Sequence, residues 1–141
     1  MKIGFTGTQR GMTQKQKETF TILFDKICSN NIVNEFHHGD CIGSDKDAHM
    51  IVMNKNIPII VHPPLRPQKR AFCENAVRIL PKKEYLIRNH NIVNATDVLF
   101  ATPEQYTEEL RSGTWATIRY AGKQVKYVYV IYPDGSYIEH Y

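Results

Sequence analysis

The 141-residue sequence has three cysteines, Cys28, Cys41 and Cys73, which form no C-x-x-C pair and are odd in number. That excludes a dense disulfide framework and a cysteine-built zinc ribbon, and it fits a reducing, cytoplasmic compartment. No apolar run approaches the roughly 18 residues needed to cross a bilayer, so no membrane partner is expected. The opening "MKIGFTGTQRG" is too short and too quickly polar for a signal peptide. The familiar nucleotide signatures are missing too: "GFTGTQRG" is neither G-x-G-x-x-G nor G-x-x-x-x-G-K-[ST]. There is no G-x-S-x-G nucleophile elbow, no H-x-x-x-H pair, no internal repeat and no linker long enough to divide the chain. One domain spanning 1–141 is expected.

What is present is an ordinary globular balance, 42% hydrophobic and 23% charged, with a formal net charge of +4 that mildly favours anionic ligands. "KIGFT" (2–6) reads as a short buried strand. Thr13 and Gln16 form a T-x-x-Q capping box, after which Phe20, Leu23, Phe24 and Ile27 recur at helical spacing, predicting a helix over 13–30. "EFHHG" (35–39) reads as a second strand, 45–55 as a short helix and "IPIIVHPP" (57–64) as a third strand stopped by prolines. The basic, proline-rich stretch 65–83 carries a helical turn in "AFCENAVRIL". A helix over 84–94, a strand over 97–103, a helix over 113–121 and strands over 126–132 and 136–140 complete the reading. Alternating strands and helices with continuously apolar strands predict an α/β fold: a Rossmann-like, open, mostly parallel sheet with helices on both faces.

In such a sheet ligands gather beyond the carboxyl ends of the strands, where strand order reverses. The loops there are 7–11, 39–45, 63–70 and 102–113, which carry glycines and Arg10, Arg66, Arg70 and Arg111. "LRSGTWATIRYAGK" (110–123) places Arg111, Ser112, Gly113 and Thr114 at a helix start, where unpaired amides and the helix dipole suit a phosphate. From that stretch alone, a capped helix without a ligand reads as well. "HHGDC" (37–41) gathers His37, His38, Asp40 and Cys41, but adjacent strand residues point to opposite faces, so His37 and His38 do not share an ion and no metal or other cofactor is expected. Trp115 and tyrosines 127, 129 and 132 read as packing residues.

Several dispersed segments resemble one family. "GSDKDAH" (43–49) matches the G-x-D-x-x-A-H motif of the DNA-processing DprA/Smf proteins. "IRNHNIV" (87–93) is similar to their R-N-R-x-I segment, with His90 in place of the second arginine, and "RSGTWATIRYA" (111–121) to their R-S-G-S-x-x-T-A-R-x-A helix start. The wider group is the SLOG superfamily of Rossmann-like domains, which includes the LONELY GUY phosphoribohydrolases and sensor domains for nucleotide-derived signals. The resemblance implies a ligand pocket built from Gly7, Thr8 and Arg10; Gly39, Asp40, Gly43 and Asp45; Arg88 and Asn89; and Arg111, Ser112, Gly113 and Thr114. It also implies a homo-oligomer.

One departure bears on activity. Aligning Gly113–Thr114 with the hydrolases' P-G-G-x-G-T-x-x-E places Thr117 where their catalytic glutamate belongs, and a threonine is neither a general base near neutral pH nor a stabiliser of an oxocarbenium charge. The expected function is therefore a non-catalytic binder, a sensor or sequestering protein, of a nucleotide or nucleotide-derived signal such as an ADP-ribose-type or cyclic-nucleotide molecule. In it, Asp40 or Asp45 would accept from a ribose hydroxyl. A nucleotide N-glycosidase using a carboxylate relocated to Asp40, Glu104, Glu108 or Glu109 is the enzymatic alternative. Single-stranded DNA binding through "RPQKR" (66–70), Arg10 and Arg111 is the third.

Overall fold

The computed structural model describes residues 1–140. In chain order the elements are β1 (Lys2–Gly7), α1 (Gln14–Asn30), β2 (Glu35–His38), α2 (Ser44–Met53), β3 (Ile59–Val61), a 3-10 turn (Pro67–Lys69), β4 (Arg78–Ile79), α3 (Tyr85–Ala95), β5 (Val98–Thr102), α4 (Gly113–Lys123), β6 (Tyr127–Ile131) and β7 (Tyr137–His140). The strands form one sheet in the order β4-β3-β2-β1-β5-β6-β7. Every neighbouring pair is parallel except the last, β6 with β7. The chain leaves β1 toward one edge and resumes on its other side with β5, so strand order reverses between these two strands.

Side-chain alternation along the strands distributes the core. Ile3, Phe5, Phe36 and Phe100 face α1 and α2, where Phe20 meets Phe100 edge-on at 5.2 Å between ring centroids and Phe5 at 5.5 Å. Leu99, Val128 and Val130 face α3 and α4, packing with Ile92, Val93 and Trp115. Helices thus cover both faces, as continuously apolar parallel strands require.

The first helix begins as its capping box dictates: Thr13 Oγ1 accepts from Gln16 N at 3.0 Å, and Gln16 Oε1 accepts from Thr13 N at 2.9 Å. Gln16 is buried, and its amide also donates to the carbonyls of Pro103 and Ile131, both at 3.0 Å. The cap therefore also fixes α1 to the carboxyl ends of β5 and β6.

The helical turn expected in "AFCENAVRIL" is not formed. Phe72 and Asn75 adopt left-handed backbone angles (φ 54° and 68°), which interrupt a helix. The amides of Ala71 and Cys73 donate to Asp40, and those of Val77 and Leu80 to the carbonyls of Ile59 and Val61. Pairing with β3 turns the end of this stretch into a seventh strand at the sheet edge. Among the described residues, no helix is long and apolar enough to cross a membrane.

Candidate functional site

The carboxyl ends of β1 and β5 meet beside the starts of α2 and α4. A β-carbon on Gly7 would lie 2.3 Å from Thr102 Oγ1 and 2.4 Å from Ser44 Cβ, so only glycine lets β1, β5 and α2 converge there. The next residue stitches the junction: Thr8 N donates to Thr102 O at 3.2 Å, and Ser44 donates to Thr8 O through both its amide (3.1 Å) and its hydroxyl (2.7 Å).

Above this junction opens a cleft of about 280 Å³, walled by Gly7, Thr8 and Gln9, by Glu104 and Gln105, by Ser112, Gly113 and Thr114, and by Tyr85. Ser112 caps α4, its hydroxyl accepting from Trp115 N at 3.2 Å. The first-turn amides of a helix have no acceptor within it. Those of Gly113 and Thr114 find none elsewhere among the described residues, and the residues carrying them line the cleft. The positive end of the helix dipole adds to this donor-rich wall.

At the mouth, Glu104 pairs with Arg10 at 2.9 Å, and its second oxygen accepts from Thr8 Oγ1 at 3.5 Å. Arg10 is largely exposed, so the pair is a loosely held rim contact. Of the carboxylates the sequence offered for relocated chemistry, Glu104 lines the cleft, whereas Glu108 pairs with Arg119 and Asp40 with Arg70. Thr117 is buried, and its hydroxyl bonds back to Gly113 O at 2.8 Å.

The remaining candidate residues form the support behind this wall. Arg88 is buried one helical turn after Tyr85. Its guanidinium donates to Gly39 O, to Cys41 Sγ and to His62 O. Its charge also lies 4.7 Å from the centroid of the Tyr85 ring. Asp45 is buried beside it, accepting from Cys41 N at 3.1 Å; burial pushes its carboxyl up to about 6, with the Arg88 guanidinium opposing. Asp40 is fully enclosed, one oxygen accepting from Arg70 Nε at 2.8 Å and the other from Cys73 N at 2.9 Å. Asn89 is buried, Gly43 makes the left-handed turn into α2, and Arg111 is exposed outside the cleft. Asp40 and Asp45 therefore brace the 39–45 loop and do not line the cleft. Gln9 lies in the 7–11 loop expected at the rim but was not singled out within it, and Tyr85 belongs to no recognisable motif.

Four of the six histidines form two buried pairs. His49 Nε2 lies 2.8 Å from Glu74 O and so carries the proton; His49 Nδ1 then accepts from His38 Nε2 at 2.9 Å, and His38 Nδ1 accepts from Asp40 N at 2.9 Å. Cys73 Sγ joins these rings within 4.8 Å. A cation on His38 Nε2 would drive a proton onto Nδ1, against the Asp40 amide. Burial and its hydrogen bond to Asp40 push the Cys73 thiol up to about 12. The trio works as a clasp on the 70–75 segment. On the opposite face of the sheet, His37 bridges His62 (2.8 Å) and Glu35 (2.9 Å).

No family model matches the sequence, and no curated protein does. Solved structures do. A molybdenum cofactor binding protein from Rippkaea orientalis superposes with a TM-score of 0.69 at 18% identity, over 93% of this chain and 76% of that one. The Moco carrier protein from Chlamydomonas reinhardtii gives 0.66 at 17% identity, over 92% and 74%. DNA processing protein A from Streptococcus pneumoniae gives 0.64 at 15% identity, over 92% of this chain and 49% of that one. At such identities the likeness is one of fold: the chain has the Rossmann-like, mostly parallel α/β architecture that its alternating strands and helices led one to expect.

Proposed function

We propose that this protein holds a phosphate-bearing, nucleotide-derived small molecule without transforming it, the phosphate seated at the start of α4. The observation that carries this reading is the pair of unpartnered amides on Gly113 and Thr114, set with the Ser112 and Thr8 hydroxyls around one cleft at the sheet's reversal point. Thr117, turned back onto the helix, leaves that helix without a carboxylate for bond cleavage. Two proteins of the same fold are named for binding or carrying a molybdenum cofactor, which supports a small-molecule cargo. A nucleic-acid role has less behind it, because Arg70 of the basic loop is committed to Asp40 and the cleft is small.

Mass spectrometry of small molecules released by heat from the purified protein tests this directly, followed by calorimetry with pyrophosphate and a nucleotide panel. The expected result is an intact phosphate-bearing species, and an affinity that drops about three- to tenfold in Thr114→Val, which keeps the shape and removes the hydroxyl. An empty protein that binds no phosphate compound at millimolar concentration overturns the reading. Glu104 in the cleft wall favours a second reading, N-glycosidic hydrolysis. Release of free base from nucleoside monophosphates or ADP-ribose, lost in Glu104→Gln, would replace the binder by that enzyme.

A further inference from the structure

A second groove, of about 670 Å³, adjoins the α4 cleft, and Gln9 and Tyr85 line both. Besides Gln9, its walls come from two segments: Pro64, Leu65, Arg66 and Lys69 after β3, and Glu84, Tyr85 and Leu86 at the start of α3. Leu65 is 50% exposed and Leu86 58%, and neither belongs to the two core clusters. Packing of the fold therefore does not account for two leucines facing one groove. Arg66 has no ion-pair partner among the described residues, and Lys69 donates to Gln9 Oε1 at 3.3 Å on the dividing wall.

Volume and chemistry divide a ligand between these spaces. The α4 cleft is at the small end of ligand sites, which run from about 300 to 1,000 Å³, and its walls are hydrogen-bond donors and acceptors suited to a phosphate. The larger groove offers apolar surface and the Tyr85 ring, which suit a flat heterocycle, with cations on its rim. A molecule spanning both must cross the wall beside Lys69, where a second phosphate would meet an ammonium.

Resting on the phosphate site proposed above, we infer that the groove between Leu65 and Leu86 receives the ring system of the same ligand, and that the ligand is of the nucleoside diphosphate class. The ring sits over Leu65, Leu86 and Tyr85, one phosphate lies beside Lys69, and the terminal phosphate reaches the amides of Gly113 and Thr114.

The test is calorimetry of the full chain with inorganic pyrophosphate and with the adenosine, guanosine, cytidine and uridine diphosphates, on the wild type and on Leu65→Ser/Leu86→Ser. Both leucines are exposed, and a thermal melt verifies that the variant is folded. The expected result is at least one diphosphate binding the wild type about tenfold or more tighter than pyrophosphate, with that advantage gone in the double variant. Pyrophosphate binding with no diphosphate favoured, or an advantage that survives in the double variant, overturns the groove assignment and leaves the phosphate site standing. Failure of pyrophosphate and all four diphosphates to bind overturns both.

Discussion

The ring of Tyr85 lies against the α-carbon of Gly113: a β-carbon at Gly113 would come within 2.5 Å of Tyr85 Cε1 and 3.0 Å of its hydroxyl oxygen. These residues are 28 positions apart, the first residue of α3 and the first of α4. Their contact brings the two helix starts together and makes Tyr85 the wall between the α4 cleft and the larger groove. Arg88, buried beneath the Tyr85 ring, holds it from the other side.

Gly113→Ala should therefore separate stability from binding. The methyl displaces the half-exposed Tyr85 ring, and at the first position of α4 alanine is no worse a helix former than glycine. The expected outcome is a melting temperature within a few degrees of wild type and a loss of about tenfold in pyrophosphate affinity. Unchanged affinity in calorimetry would show that Tyr85 does not shape the site.

Asp40 anchors the 70–75 segment, and its removal should be costly. Asp40→Ala strips the partner from Arg70 Nε and from the Cys73 amide and puts alanine at a φ of 52°. Breaking an enclosed charge pair costs about 3–5 kcal/mol. Asp40→Asn should cost less, since asparagine tolerates the backbone angle and keeps an acceptor. Urea unfolding measures the order of the two, and hydrogen exchange should quicken at the Ala71 and Cys73 amides.

Acid should destabilise the fold well before ordinary carboxylates titrate. Burial lowers His37 and His38, and it brings His62 to about 3, against about 6.5 in an unfolded chain. Below pH 6.5 the unfolded chain thus binds more protons than the folded one, so stability falls as pH falls, by about 1.4 kcal/mol per pH unit for each such proton. Asp45 acts in the opposite direction. Its folded value of about 6 exceeds the usual 3.8, so between these values the folded state binds the extra proton. Three histidines outweigh one aspartate, and urea midpoints should drop steadily from pH 7 to pH 5. A flat profile would contradict the neutral, enclosed histidines.

The phenylalanine cluster carries the α1–α2 face of the core. Phe20 is fully buried against Phe5, Phe24, Phe36 and Phe100. Phe20→Ala should cost about 3–5 kcal/mol, read as a lower urea midpoint at unchanged slope. Ligand affinity measured on the folded fraction should stay as in wild type, because none of the rings that Phe20 packs against lines the cleft.

Apart from the 71–80 stretch, the order of the elements and the local form of their ends are legible in the amino-acid chain. The Thr13–Gln16 box and the Ser112 cap act within one helical turn, and core periodicity within a few residues, so both are readable without knowing the fold. The apolar strands likewise determined a parallel sheet with a loop-built rim at its carboxyl ends. Which rim residues line the cleft depends instead on contacts between distant segments. Asp40 and Asp45, open candidates on the sequence, are enclosed by Arg70, Cys73 and Cys41, while Tyr85, Gln9 and Glu104 line the cleft. Within the stretch 71–80, Arg78–Ile79 became an edge strand on the free edge of β3, while the Asp40 carbonyl and carboxylate took the amides of Ala71 and Cys73. Such pairings join residues 18 to 33 positions apart. They are fixed by strand register and by the competition of distant groups for each buried donor, which no local pattern in the chain records.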